Sequence, residues 1–483
     1  MLGSQLIISN TTAVDLDGTL TKTDTLHESV LALIRQKPWL SFLLPFWLAT
    51  GIAYFKSKVA SNCKFDVSTL PYNLALIDWL QTQRAGGARV ILCTAANGCI
   101  ARAVSKHLGL FDEVIASDAH TNLSGRQKRK ALQERYGEQG YAYVGNSQAD
   151  IEVWASASHA IVVNAKKAVL VKASKISAVL HVFPSGGAKL SDWVSAIRLH
   201  QWLKNFLLFV PLIAAHQLGN ITSLTTLTIA FVSFSLCASS VYITNDLLDL
   251  ESDRIHPRKR YRPFARATLP LVLGAGVAVS FMTAGISISV LVGSDFFIII
   301  LLYLFLTAAY SLVLKRLVLV DCLTLATLYT VRIVAGAVAV SVPLSFWLLA
   351  FSVFIFLSLA LVKRYAELIS QIQEGSPAAH GRGYMESDAS LLQTLGVSSG
   401  YIAALVVALY VRSEADGSLY AEPTAILLVL PILLFWISWV WLKATRGEMH
   451  DDPIVFAIKD KVSLFVSLLI AAVVVYAATG VNF

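Results

Sequence analysis

The sequence predicts a two-part protein: an α/β domain with a parallel sheet over about residues 1–180, a linker at 181–192, and an all-helical membrane domain from 193 to 483. Three observations predict it. Hydrophobic residues make up 56% of the 483 and charged residues only 14%, too apolar a balance for an ordinary soluble enzyme. The apolar excess is uneven, with mixed composition up to about residue 190 and then repeated runs of roughly 18 to 24 apolar residues, each long enough to cross a bilayer. In the front part, short β-like runs such as "ARVILCTAAN" and "YAYVGN" alternate with amphipathic stretches, the pattern of a parallel α/β sheet.

Nine spans are expected, near 203–219, 223–243, 269–292, 296–314, 319–341, 344–362, 391–411, 424–442 and 463–480. Alternate loops are basic: Arg254 to Arg266, then Lys315 and Arg316, then Lys363, Arg364 and Arg382, then Lys443, Arg446, Lys459 and Lys461. The opposite loops hold only Arg412. Orientation therefore explains the net charge of +8, and no nucleic acid is needed. The expected placement is a multi-pass protein of the cell inner membrane, with the lipid bilayer as partner, the front domain cytoplasmic and the carboxyl end outside. "MLGSQLIISNTTAVD" lacks a signal pattern, and the five cysteines show no paired spacing, so reduced thiols are expected. Pro184, Gly186 and Gly187 mark the linker.

In a parallel α/β sheet, chemistry gathers at the carboxyl ends of strands. "VDLDGTLT" places Asp15 and Asp17 there, one carboxylate suited to attack a phosphoryl group and the other to protonate the leaving oxygen. "CTAAN" offers the Thr94 hydroxyl to a phosphate, and "GRQKRKAL" offers Lys128, preferred over Lys130, to neutralise it. "VGNSQAD" presents Asn146 and Asp150 as oxygen ligands for Mg2+. This ordered set resembles the haloacid dehalogenase superfamily over residues 8–165. The resemblance implies a Rossmann-like phosphatase domain with a helical cap at about 22–85, Asp15 as nucleophile, Asp17 as general acid/base, and metal at Asp15, Asp17, Asn146 and Asp150. Asn146 departs from the Asp usual in the family, which leaves an inactive, regulatory form of the domain as the alternative. "PWLSFLLPFWLATGIAYFKSK" is expected within the cap, and a place on the membrane surface is the second possibility.

Between the second and third spans lies "NDLLDLESDRIHPRKRYRP", with three aspartates and five basic residues. Asn245, Asp249 and Asp253 recur every four residues with Asp246 beside them, so one helical stripe carries all four. Such a stripe suits one or two Mg2+ ions, which turn it into a diphosphate receptor. Pro257 is expected to end the helix, after which Lys259, Arg260 and Arg262 follow within reach of the same anion. Upstream, Lys204 reaches the interface, either as a phosphate ligand or as no more than an anchor of the first span.

Nine spans with NDxxDxxxD after the second resemble the UbiA superfamily of intramembrane prenyltransferases over residues 190–483. "HPRKRYRP" narrows the resemblance to decaprenyl-phosphate phosphoribosyltransferases, which implies transfer of 5-phosphoribose from phosphoribosyl diphosphate to a polyprenyl phosphate. The superfamily's second Asp-rich motif is replaced here by "LVKRYAELISQIQEG", where Lys363 and Arg364 offer phosphate ligands and catalysis is expected at Asp249 and Asp253. Mg2+ is the expected cofactor of both parts. The alternative is a conventional prenyl lipid transfer, from a prenyl diphosphate to an aromatic acceptor. Arg332 inside a span, and Asp451, Asp452 and Asp460 in the last cytoplasmic loop, are further candidates.

Overall fold

The computed structural model describes residues 10–184, 186–373, 383–413, 420–449 and 452–479. Arg382 and Asp451 lie outside them. The chain divides into two compact units, Met1–Ile197 with Ile243–Val277, and Arg198–Tyr242 with Ala278–Phe483.

In the first unit, strands β1 (Thr11–Val14), β2 (Arg89–Asn97), β3 (Glu113–Ser117), β4 (Ala142–Gly145), β5 (His159–Val163) and β6 (Val179–Phe183) form one parallel sheet. Its order is β3-β2-β1-β4-β5-β6. Both faces are covered, so the inner strands are apolar throughout rather than alternating with polar residues. Successive side chains still point to opposite faces. Val14, Leu92 and Val144 pack with Leu76, Leu80, Ile100 and Val104 on one side. Ala13, Ile91, Cys93 and Tyr143 pack with Leu132, Val153 and Trp154 on the other. The strand order reverses at β1, so a crevice opens at the carboxyl ends of β1 and β4.

The cap is an insertion closed at its base by an antiparallel bridge between Thr21 and Tyr72. Lys22 N–H donates to the Pro71 carbonyl and Asn73 N–H to that of Leu20, both at 2.9 Å. The cap therefore covers about residues 22–72 and is shorter than expected, because the helix Leu74–Ala85 belongs to the sheet's own helical layer. Four of its helical pieces, Thr25–Gln36, Pro38–Leu43, Leu44–Ala49 and Ile52–Asn62, share a small core around Leu33, Phe55 and Val59. The expected linker at 181–192 also shifts. Residues 181–183 complete β6, and the helix Leu190–Ile197 follows a shorter connection.

Among the described residues, eight helices are long and apolar enough to cross a membrane, beginning with Ile221–Leu248 and ending with Lys461–Thr479. The first expected span, 203–219, takes the form of a tightly wound segment, Leu199–Phe209, followed by the short helix Val210–Ala214. Two features break it. Pro211 has no N–H to donate. Asn205 turns inward, its amide donating to Ser235 Oγ at 2.8 Å, instead of facing lipid. The helix Val320–Ala339 is the most enclosed of the eight, and the wound segment packs directly on it: a Cβ added to Gly336 would fall on the Leu208 carbonyl. Gly336→Ala is expected to cost about 1–3 kcal/mol of stability by overpacking, read as a lower melting temperature of the detergent-solubilised protein, while Ala335→Gly costs less.

Candidate functional site

In the first unit, Asp15 directly follows β1, and its N–H donates to the Val144 carbonyl at 3.0 Å. The Lys128 ammonium, from the helix Arg126–Tyr136, sits 2.8 Å from Asp15 Oδ1 and 2.8 Å from the Tyr143 hydroxyl. That hydroxyl in turn donates to Asp150 Oδ1 at 2.8 Å. Lys130 is exposed and pairs with Glu134. Asp17 lies in the loop beyond Asp15, where the left-handed turn at Gly18 (φ 73°) leaves no room for a side chain against the Asn146 amide. Its Oδ1 accepts from Thr25 N–H at 2.8 Å, tying it to the first cap helix. Thr94 is fully buried within β2, three residues before its end, and its Oγ1 accepts from Ala96 N–H.

Asp150 corrects the sequence expectation. Rather than standing open as a metal ligand, its Oδ2 accepts from Asn146 N–H, Ser147 N–H and the Ser147 hydroxyl at 3.0, 2.9 and 2.8 Å. It anchors the loop after β4. The cap adds a group that sequence reasoning missed: Lys56 donates to the Ala95 carbonyl at 2.6 Å and to Asn122 Oδ1 at 2.9 Å. Burial lowers its ammonium, against the opposing pull of Asp17 and Asp24.

Burial pushes the Asp15 carboxyl up to about 6, with Asp150 adding to the rise and Lys128 opposing it. Burial and then Asp24 push Asp17 up to about 7. Burial alone would lower the Lys128 ammonium, but Asp15 and Asp150 raise it above its ordinary value. Among the described residues Asp15, Asp17, Asp24 and Asp150 face Lys128, Lys56 and His27, a set in which carboxylates outnumber ammoniums and which a divalent cation fits. Among the described residues no three His, Cys, Asp or Glu side chains converge as a ready cage. The oxygen donors that fit Mg2+ here are Asp15, Asp17 and the Asn146 amide, a small set suited to an ion that keeps several waters.

The Asp-rich segment also belongs to the first unit. The helix Ile221–Leu248 stops at Asp249 (φ −100°, ψ 17°) and a short helix, Leu250–Ile255, follows, so the expected single stripe is kinked and ends before Pro257. The four-residue spacing survives in the backbone, with Asp249 N–H bonded to the Asn245 carbonyl and Asp253 N–H to that of Asp249. Asp246 and Asp253 are both buried, and Arg262 bridges them at 3.0 and 2.8 Å. Two carboxylates share one guanidinium, and Asp246, Asp249 and the Asn245 amide are oxygen donors of the kind that Mg2+ takes. Arg260 lies along the Tyr261 ring on the surface, so the basic run divides instead of acting as one anion-binding set. Lys259 begins the turn Lys259–Tyr261. Arg254 reaches the cap, its guanidinium meeting both Glu28 oxygens at 2.6 and 2.7 Å. Arg35 of the cap lies 3.8 Å from Asp249.

In the second unit, Lys204 and Lys363 converge on Asp452 Oδ2 at 2.8 and 3.0 Å, and the Tyr329 hydroxyl donates to the same carboxylate. Burial alone would raise the Asp452 carboxyl, but Lys363 and Lys204 hold it well below the usual carboxylate range. Arg364 points elsewhere, to Asp321, Glu367 and the Tyr310 hydroxyl. Its guanidinium is committed to a buried ion network, which corrects its expected role as a phosphate ligand. Arg332 donates to Asn205 Oδ1 at 2.9 Å and packs against Phe234 and Tyr303. It therefore positions the wound segment that carries Lys204. Asp460 caps the last helix through Ser463 N–H.

Residues 206–469 match the UbiA prenyltransferase family. The chain belongs to the UbiA prenyltransferase family. Residues 12–154 match haloacid dehalogenase-like hydrolases, so this UbiA-family transferase carries a haloacid dehalogenase-like domain at its front. Uncharacterized protein y4nM of Sinorhizobium fredii is 36% identical over 467 residues, covering 96% of this chain and 90% of that protein. Nodulation protein NoeC of Azorhizobium caulinodans is 35% identical over 284 residues, 59% of this chain and 92% of that one. Decaprenyl-phosphate phosphoribosyltransferase of Mycobacterium tuberculosis is 31% identical over 281 residues, 57% of this chain and 90% of that one. This UbiA-family protein is a multi-pass membrane protein. Both families are generally Mg2+-dependent.

Two predictions follow from the charges of this UbiA-family chain. Asp15 and Asp17 have folded values above the 3.8 of a free Asp, so without metal their ionisation destabilises the native state as pH rises from about 4 to about 7. Millimolar Mg2+ should therefore raise the melting temperature more at about pH 8 than at about pH 5, and Asp15→Asn should remove most of that gain. Asp452 has the opposite sign: its stabilisation is present above 3.8 and is lost as pH falls through the lower folded value. Asp452→Asn leaves two ammoniums without their counter-charge and should cost about 3–5 kcal/mol; Lys204→Met in the same chain should recover part of it.

Proposed function

We propose that the membrane part transfers 5-phosphoribose from phosphoribosyl diphosphate to a polyprenyl phosphate, and that the front domain removes the 5-phosphate from the lipid-linked product. The observation that carries the first half is the cationic pair Lys204 and Lys363 on Asp452. Lys363 stands where a donor held by two Asp-rich motifs needs acids, and a donor with both a diphosphate and a 5-phosphate needs extra cations. The name of the Mycobacterium tuberculosis relative supports the same donor.

In the transfer, a phosphate oxygen of the lipid attacks the anomeric carbon, the carbon–oxygen bond to diphosphate breaks, and diphosphate leaves with the electron pair. Mg2+, when bound at Asn245, Asp246, Asp249 and Asp253, would offset the charge that develops on the leaving group. Arg262 orients Asp246 and Asp253, and Lys204 and Lys363 supply positive charge for phosphate. In the front domain, Asp15 attacks phosphorus while Asp17, its carboxyl raised towards neutrality, gives a proton to the departing C5 oxygen. Water then hydrolyses the aspartyl phosphate. Lys128, Lys56 and Thr94 hold the phosphate oxygens. Loss of the 5-phosphate makes the transfer effectively irreversible.

The placement proposed is the cell inner membrane with the front domain cytoplasmic. The Glu28–Arg254 pair, which ties the cap to the segment after the helix Ile221–Leu248, supports this reading. The chain between Ile197 and Ile221 must then return through the bilayer, and tight winding, rising about 2.0 Å per residue against 1.5 Å in an α-helix, lets so short a segment do it.

Membranes given labelled phosphoribosyl diphosphate and polyprenyl phosphate should yield lipid-soluble label. Asp249→Ala should reduce it by about 100-fold or more, whereas Asp15→Asn should leave the label and preserve its 5-phosphate. Label that survives Asp249→Ala would overturn the transfer. Family membership favours the second possibility, prenyl transfer from a prenyl diphosphate, and competition between the two diphosphates separates them.

A further inference from the structure

Residues 38–49, "PWLSFLLPFWLA", contain no charged side chain, and none of their side chains is buried. Leu40, Leu44 and Trp47 pack inward on Leu33, Phe55 and Val59. The opposite face is apolar too: Trp39, Phe42 and Phe46 are 64%, 79% and 69% exposed. A helical segment apolar on both faces belongs in a core or in lipid, and these helices are too short to span.

We propose that this outer face of the cap lies in the headgroup layer of the bilayer, and that it restricts the hydrolase crevice to phosphomonoesters carried on lipid. Only the second clause rests on the hydrolase proposed above. Three observations choose lipid over another protein. The preceding cap helix is tied through Glu28 to Arg254, six residues beyond the end of an apolar helix long enough to cross the membrane. Arg35 on the same helix approaches Asp249, the first residue past that end. Lys37 and Lys58 flank the apolar stretch, with Lys58 over the Tyr54 ring at 5.3 Å, which suits anionic headgroups above buried aromatic rings. The following helix, Ile52–Asn62, carries Lys56 to the Ala95 carbonyl at the crevice, so the lipid-facing element and the phosphate-facing lysine are parts of one cap.

The test uses the full chain in phosphatidylcholine and phosphatidylglycerol vesicles, with Phe42→Cys carrying an environment-sensitive fluorophore in a Cys99→Ser background. Cys99 is the exposed native thiol, and burial pushes the Cys63 thiol up to about 11. Quenching by brominated lipid with protection from aqueous iodide is expected. Quenching by iodide alone, or protection that disappears as protein is diluted into excess lipid, would overturn the proposal, the latter pointing to a second copy as occupant. In the same vesicles, Phe42→Ser with Phe46→Ser should slow hydrolysis of membrane-borne hexadecyl phosphate about tenfold and leave soluble p-nitrophenyl phosphate unaffected. Equal effects on both substrates would overturn the restriction to lipid. If the unaltered protein hydrolyses neither, the hydrolase itself fails, and the quenching result still decides the membrane contact.

Discussion

A charge taken out of water must be met by an opposite charge, and this chain organises each of its candidate sites around that constraint. Charges cannot be buried singly without a large desolvation cost. Lys128 is enclosed between Asp15 and Asp150, Arg262 between Asp246 and Asp253, and Asp452 between Lys204 and Lys363. Each is a triad with one member in the minority. Among the described ion pairs none of the three is balanced in sign.

Around Lys128 the surplus is negative, and Asp17 and Asp24 increase it. The Asp15 and Asp17 carboxyls are raised first by burial, to which Asp150 adds at Asp15 and Asp24 at Asp17. Around Arg262 two carboxylates meet one guanidinium, and around Asp452 two ammoniums meet one carboxylate and hold it well below the usual range. The Glu28–Arg254 pair is different: it is balanced, bidentate and almost wholly enclosed, and so serves as a fastening.

The sheet and the order of its polar strand ends were legible because each depends on local pattern. Asp15, Thr94, Lys128 and Asp150 follow strands or begin helices that β-like runs and amphipathic stretches announce. What Asp150 does was not legible, because its partners are backbone N–H groups whose direction is set only once the loop after β4 closes. Lys56 belongs to no motif and reaches its place through the cap. The wound form of the first span was not legible because hydropathy averages over Pro211 and Asn205, while the backbone responds to each of them. The aspartate spacing predicted a stripe correctly in register, but helical spacing carries no information about a guanidinium sixteen residues away, and Arg262 takes two of the acids.

The cap joins these levels. It leaves the sheet at Thr21 and returns at Tyr72, so its position over the crevice is set at one base by a single bridge. Such an insertion would swing about that base if nothing else held it. The second hold is Glu28, whose carboxylate accepts from Thr23 at the base and binds Arg254 beyond. Thr25, three residues before it, gives its N–H to Asp17. One turn of helix therefore contacts the Asp17 carboxylate through Thr25 and the Arg254 guanidinium through Glu28. A cap held at its base and at this turn cannot swing about either contact without straining the other.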